Sequence, residues 1–191
     1  MRKVILFMHI SQDGFVCGPQ GELDWATMTD DKMGEYMGSD LLKTVDTILV
    51  GRVLFQGFEQ YWPSVPENPQ SPPELISFAH WMIDTPKIVF SNTLKELIWE
   101  NSILAREDPA TTVKKLKQEP GGDMVIFGGA SLAAHFVREG LVDELRFKLE
   151  PIALGKGKSL YSDLKERMKL KLIHAKTFES GVAGLFYEVI K

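Results

Sequence analysis

Cysteine is almost missing from this sequence. Its 191 residues include one, Cys17, which excludes an intrachain disulfide framework and fits a reducing compartment. Positive charge is not in excess either. Against 26 acidic residues stand 22 lysines and arginines, a net charge of -4, so no basic surface asks for nucleic acid or an anionic membrane. No apolar run approaches a membrane span, and Met1-Arg2-Lys3 leads into a strand-like run rather than a signal peptide. His80, His135 and His174 share no metal-like spacing with other ligand types, so no metal site is expected. There is no GxGxxG, no repeat and no low-complexity tract. What remains is an ordinary globular composition, 44% hydrophobic, enough for a real core in one domain over residues 1–191, with the cytoplasm as its expected location.

The stretch that organises the chain is Gly121 to Leu145. After Gly121-Gly122, the run Met124-Val125-Ile126-Phe127 is too short for a helix and suits a strand buried on both faces. Gly128-Gly129 follows, and then a helical pattern: Leu132 with Phe136, and Ala133 with Val137, stand four apart on adjoining stripes. Gly140 is placed to stop that helix. Two glycines at a strand-to-helix turn let backbone approach a ligand, and the helix start favours an anion such as a cofactor pyrophosphate. Such glycines also serve tight packing alone.

Elsewhere, strands and helices alternate. Val4–Ile10 reads as a central strand, Asp46–Val50 as a second, Lys87–Phe90 as a third and Ser102–Ala105 as a weaker one. Thr29 reads as an N-cap before Asp30 and Asp31, with Met33, Met37 and Leu41 on one helical face ending near Lys43. Leu54, Phe55 and Phe58 suggest a short helix, and Glu74–Ile83 a longer one. Asp108 caps a helix starting at Pro109. Tyr61 to Pro73 holds half of the ten prolines and must be a stiff, irregular loop. Leu145 to Glu150 alternates cleanly. Strands beginning at Leu170 and at Leu185 close the chain as a hairpin. The pattern is α/β, with a mostly parallel sheet and an antiparallel edge. In such sheets ligands sit at the carboxyl ends of strands, where Asp13-Gly14, Gly51-Arg52, Ser91-Asn92-Thr93 and Gly128-Gly129 all fall.

Four motifs, Ser11–Trp25 (SQDGFVCGPQGELDW), Asp46–Arg52 (DTILVGR), Lys87–Thr93 (KIVFSNT) and Met124–Leu132 (MVIFGGASL), occur in an order that resembles the dihydrofolate reductase superfamily. The chain is most similar to the branch holding the reductase domain of the bifunctional riboflavin-biosynthesis deaminase-reductase. The resemblance covers nearly the whole chain. It implies a three-layer α/β/α fold around about eight strands, NADPH as cofactor, and a homodimer. It implies that Gly51 and Arg52 meet the cofactor phosphates, Ser91 and Asn92 the adenosine end, and Gly128, Gly129, Ala130 and Ser131 the pyrophosphate. His9 and Val16 would line the nicotinamide pocket, His9 mainly through its backbone.

Substrate contacts stay open at this level. Asp13 either stabilises the Asp-Gly turn or, as the riboflavin branch implies, contacts a substrate ribose. Asp30 stands where dihydrofolate reductases carry a carboxylate that can protonate or orient a pterin ring, yet it is equally a first-turn dipole partner, and the latter reading is favoured. Trp25 reads as a pocket wall, and Cys17 as inert. The reaction implied is hydride transfer to a phosphoribosylamino-pyrimidine or a related small heterocycle. Alternatives are a true dihydrofolate reductase acting on a pterin, and a non-catalytic nucleotide-binding module. Against the pterin, no arginine precedes Lys87-Ile88-Val89-Phe90 to grip a glutamate tail; Lys87 offers a charge there but no planar fork. Lys156 and Lys158 are further candidate contacts.

Overall fold

The apolar runs become strands because both of their faces are covered. The computed structural model describes residues 1–28 and 38–191. In chain order the elements are β1 (Val4–Ile10), β2 (Phe15–Cys17), α1 (Leu41–Thr44), β3 (Val45–Gly51), α2 (Arg52–Tyr61), a 3-10 turn (Trp62–Ser64), α3 (Pro73–Asp84), β4 (Lys87–Phe90), β5 (Ser102–Ala105), α4 (Pro109–Leu116), β6 (Asp123–Phe127), α5 (Ala130–Arg138), β7 (Glu144–Leu149), β8 (Lys158–Ser159), β9 (Lys169–Thr177) and β10 (Ala183–Ile190). Eight strands form one sheet in the order β5-β4-β3-β6-β1-β7-β10-β9, and β2 pairs with β8 in a separate ribbon. From β5 to β7 all neighbours are parallel, while β10 runs antiparallel to both β7 and β9.

Alternation along the strands sorts two cores. Leu6, Met8, Leu49, Ile126 and Leu145 pack with Val113 of α4 and Phe136 of α5 on one face. Ile5, Ile48, Val50, Val89 and Val125 pack with Leu41 of α1, Phe55 of α2 and Met82 of α3 on the other. Each fully buried side chain of this size stabilises by about 1.5–3 kcal/mol. Helix ends carry the expected chemistry. Asp108 Oδ2 accepts from Thr111 N at 3.0 Å. Gly140, at φ 65°, ends α5, and Leu141 N donates back to Phe136 O at 3.0 Å.

Over β7 and β10 a buried charge joins the small apolar cluster of Val182, Phe186, Phe7 and Phe178. Arg146 is buried, donates to Asp40 at 2.5 and 2.8 Å and to Glu144 at 2.6 Å, and lies over the Phe186 ring.

Most strands fall where the sequence places them. The helix at Leu54–Phe58 is longer, starting directly at Arg52 with Gly51 as its N-cap. The β2–β8 ribbon is unexpected, because Lys158-Ser159 pairs through backbone and carries no apolar signal. Its close fit needs Gly157, whose added Cβ would stand 2.3 Å from the Cys17 carbonyl oxygen. The Thr29 N-cap, Asp30, Asp31 and the stripe through Met33 and Met37 lie outside the described residues.

Lys87, expected to offer a charge to a substrate tail, is instead buried. It is 1% exposed, donates to the Ile83 and Thr85 carbonyls at 2.8 Å each, and sits 4.2 Å from the Trp99 ring centre. It thereby satisfies carbonyls at the end of α3. Burial pushes its pKa down to about 8. Between that value and the unfolded lysine value of about 10.4, the unfolded chain holds a proton that the folded chain has released, so the charged-state penalty is full below the window and relieved across it. The stability of the wild type relative to Lys87→Met should therefore rise from pH 8 to 10. Urea titrations of both proteins at those two pH values measure it, and a constant difference would contradict the assignment.

Candidate active site along the carboxyl edge

Five adjacent strands present their carboxyl ends in the spatial order β4, β3, β6, β1, β7. Four inter-strand steps make a line about 19 Å long. Along it lie, in turn, Ser91, Gly51-Arg52, Gly128-Gly129, His9 and Glu150.

At the β4 end, Ser91 Oγ accepts from Leu94 N at 3.0 Å and Thr93 N at 3.2 Å, closing a tight turn. Asn92 beside it is exposed. Arg106, which sequence reading did not single out, donates to the Ser91 carbonyl at 3.0 Å and to the Leu94 carbonyl. Next, Arg52 opens α2, is exposed, and donates within its own helix to Gln56 Oε1 at 3.3 Å. Gly51 lies against α5, an added Cβ standing 3.9 Å from Leu132.

Gly128 and Gly129 both have positive φ, 64° and 75°. Left-handed backbone at two successive residues turns the strand abruptly into α5. A Cβ added at Gly129 would meet nothing within 4 Å, so the space beside this turn is open. Neither α2 nor α5 has a side-chain N-cap, and Ala130 and Ser131 begin the second of these uncapped helices. Both helix starts thus offer backbone N–H donors at the same edge.

Beneath this turn lies a half-buried aromatic floor. Phe127 packs against Phe7, Phe58, Phe78 and Trp81 at ring-centre distances of 5.6 to 6.5 Å, and Trp62 joins through Phe58 and Phe78. Trp62 belongs to the Pro-rich loop, which therefore lies over this face.

The β1–β7 end is polar. His9 Nδ1 stands 2.7 Å from Glu150 Oε1. Burial, reinforced by the Lys148 ammonium, lowers the His9 pKa from its ordinary value, against the opposing pull of Glu150. Asp13 accepts from Ser11 Oγ at 2.6 Å, Gly155 N at 2.7 Å and Leu154 N at 3.1 Å. Those donors, the Ser11 hydroxyl foremost, hold its carboxyl at about 2. Asp13 thus ties the loop before β8 to the β1–β2 turn. Trp25 is half-buried, with Nε1 donating to the Glu22 carbonyl at 3.3 Å. Val16 is buried in the core with 3% exposure, so only its backbone is available. Burial pushes the Cys17 thiol up, away from thiolate reactivity.

A groove of about 510 Å³ also lies at the opposite, amino edge, lined by residues including Arg2, Asp143, Glu144, Lys171 and Lys191. Charges there pair with one another, Lys191 and Lys117 with Asp143 and Lys171 with Glu188, and leave no convergent polar set. Among the described residues no group of His, Cys, Asp and Glu could hold a metal ion.

The profile of the RibD C-terminal domain matches residues 2–183. This chain belongs to that family. A Bacillus subtilis (strain 168) relative, the uncharacterized protein YyaP, is 41% identical, with 97% of this chain and 94% of the relative covered. Among solved structures, a putative riboflavin biosynthesis protein from Shewanella sp. PV-4 is similar at a TM-score of 0.72 and 20% identity, covering 99% of each chain. Dihydrofolate reductase from Enterococcus faecalis, solved with NADP(H), is similar at 0.61 and 14%, covering 99% and 97%. At these identities the structures establish the fold, which is that of dihydrofolate reductase.

In this RibD-type domain the expected residues His9, Gly51, Arg52, Ser91, Asn92, Gly128, Gly129, Ala130 and Ser131 fall along one edge, and Asp13 sits beside it. Asp30 lies outside the described residues. Glu150 and Thr27 were missed. Alternation along β7 marks Glu150 as facing away from Leu145 and Phe147, but not that this second face is closed over it.

The open space at Gly129 yields a direct test. Gly129→Val should leave the protein folded, at some strain cost, and abolish NADPH binding measured by calorimetry. Unchanged affinity in a folded variant would remove the turn from the site.

Proposed function

We propose that this RibD-type domain is an NADPH-dependent reductase that transfers hydride to an unsaturated or imine carbon of a small heterocycle, of the phosphoribosylamino-pyrimidine class. The observation that carries this reading is the pair of uncapped helix starts at Gly51-Arg52 and Gly128-Gly129, side by side on a line as long as an extended dinucleotide. The residues fit the cofactor: open space and backbone donors for a pyrophosphate, one exposed guanidinium, and hydroxyl and amide groups at the far end. In this reading Gly128, Gly129, Ala130 and Ser131 hold the pyrophosphate. Arg52 and Gly51 meet phosphate, Ser91 and Asn92 the adenosine end, and the β1 end with His9 and the Val16 backbone the nicotinamide. NADPH supplies the hydride when bound; the chain positions the acceptor carbon and excludes water.

Arg52, Asn92 and Lys95 offer charge and donors to an additional phosphate. A charged hydrogen bond contributes about 1.5–3 kcal/mol, a preference for NADPH over NADH of tenfold or more. The substrate is placed beyond His9, against Trp25, the Asp13-anchored loop with Lys156 and Lys158, and the aromatic floor. Dihydrofolate should be poor, because Lys87 is buried beneath Trp99 and offers its tail no cation. The test is a substrate panel with NADPH oxidation followed spectroscopically: 5-amino-6-(5-phosphoribosylamino)uracil, related pyrimidines and dihydrofolate, each repeated with NADH. NADPH binding without turnover of any member would favour a binding module. A dihydrofolate kcat/KM of about 10⁶ M⁻¹s⁻¹ or above would make it a true dihydrofolate reductase.

We further propose a homodimer working where thiols stay reduced, as in the cytoplasm. All nine residues of the edge strand β9 are exposed, Leu172 at 51% and Ile173 at 43%. Such an edge asks for cover. Light scattering at micromolar concentration should give about twice the 21.5 kDa chain mass; a species of one chain mass alone would contradict the dimer.

A further inference from the structure

The substrate end of the edge contains a hydrogen-bonded chain that cofactor binding does not require. Thr27 Oγ1 donates to Glu150 Oε2 at 2.8 Å, and Glu150 Oε1 meets His9 Nδ1 at 2.7 Å. Glu150 is 1% exposed. Its backbone N–H donates to the Ile10 carbonyl at 2.9 Å, and Gln12 Nε2 donates to its carbonyl at 3.4 Å. A carboxylate so far from water is costly unless it is paired and hydrogen-bonded. Both oxygens are accounted for here, one by a hydroxyl and one by an imidazole. The His9 ring is not sealed: its side chain keeps 15% exposure, and Nε2 has no described hydrogen-bond partner. A purely structural ion pair would gain from closing that last nitrogen. His9 itself lies on β1 between β6, which runs into the Gly128 turn, and β7, which runs into Glu150, and this is where the reductase reading puts the reacting atoms.

We propose that His9 is the proton donor of the reduction and Glu150 its positioning residue, acting on a substrate whose reduced bond joins carbon to nitrogen. The inference rests on the reductase reading. Reduction of such a bond breaks its π component and forms one C–H and one N–H bond. Carbon accepts hydride from the reduced nicotinamide, which is oxidised. The π pair moves onto nitrogen, and nitrogen takes the proton from Nε2. Water returns a proton to the imidazole. Glu150, with Oε2 fixed by Thr27, aims Oε1 at Nδ1, so it sets the ring plane and stabilises the imidazolium.

Among the described residues, the ionisable groups facing His9 are Glu150 and Lys148, the latter its register partner on β7. On the other side β6 presents Phe127 and then the two glycines. Burial and Lys148 lower the His9 pKa, and Glu150 opposes them. Removal of Glu150 should lower it further. As the acid form is the active one, kcat/KM should be flat below the His9 pKa and fall tenfold per pH unit above it.

The first arm of the test needs neither substrate nor cofactor. Ring-nitrogen NMR of His9 in the full chain should show a proton on Nδ1 in the neutral form and a midpoint below the ordinary imidazole value. In Glu150→Gln the midpoint should drop further. An unchanged midpoint and tautomer in a folded Glu150→Gln variant would overturn the pairing. The second arm is the pH profile of NADPH oxidation with 5-amino-6-(5-phosphoribosylamino)uracil, or with whichever panel member turns over. Its break should coincide with the NMR midpoint and move with it in Glu150→Gln. His9→Gln, whose amide can still bond Glu150, should remove the break and lower kcat about 100-fold with little change in KM. A break that stays while the His9 midpoint moves, or a wild-type rate in His9→Gln, would overturn the donor role. No turnover of any panel member by the wild type would remove the reductase reading and the donor role together. Turnover indifferent to His9 would remove the donor role alone.

Discussion

A parallel strand must be covered on both faces, and that requirement sets the rest of this architecture. Six neighbouring strands run the same way, so each return connection crosses the sheet as a helix or long loop and covers one face. Direction follows from the same constraint. Helices that directly follow parallel strands begin at the carboxyl edge, which brings Arg52, Gly129 and their uncapped neighbours to adjacent strand ends without any sequence proximity. The anion-binding potential of this edge is therefore a by-product of strand direction, sharpened by two glycines.

Local chemistry was legible wherever it acts within a few residues. Lys87–Phe90 and Ser102–Ala105 read as strands because a short apolar run between turn residues has few other fates. Asp108-Pro109 read as a helix start for a similar reason. Gly128-Gly129 read as a turn because nothing but glycine takes two successive left-handed conformations easily. Long-range chemistry was not legible. Lys87 has the charge of a surface residue, and its burial depends on Trp99 and on the end of α3 meeting there. Glu150 has the alternation of an outward residue, and its partners lie more than 120 positions away at Thr27 and 140 away at His9. Backbone pairing such as β2 with β8 leaves almost no trace in side-chain pattern.

The two ends of the edge differ in what holds them. At the β4 end the bonds are local, within the turn at Ser91 and within one helical turn from Arg52 to Gln56, with Arg106 reaching in from just beyond β5. At the β1–β7 end they are cross-linked between distant segments: β1 to the loop after β7 through His9 and the buried Glu150, and the β1–β2 turn to the loop before β8 through the exposed Asp13. Walls held in this way are preformed to a larger degree than a site built on one flexible loop, which reduces the ordering cost of any binding there.

Asp13 has a consequence for how this molecule responds to acid. Its carboxyl is held at about 2 by the Ser11 hydroxyl and the Gly155 and Leu154 N–H groups. A depressed carboxylate of this kind keeps its bonds at every pH above its unfolded value and loses them only as pH falls through the folded one. The loop before β8 is therefore fastened throughout the range in which an ordinary imidazole titrates. That fastening is released only below the range in which an ordinary carboxyl takes up its proton, so mild acid leaves this wall in place.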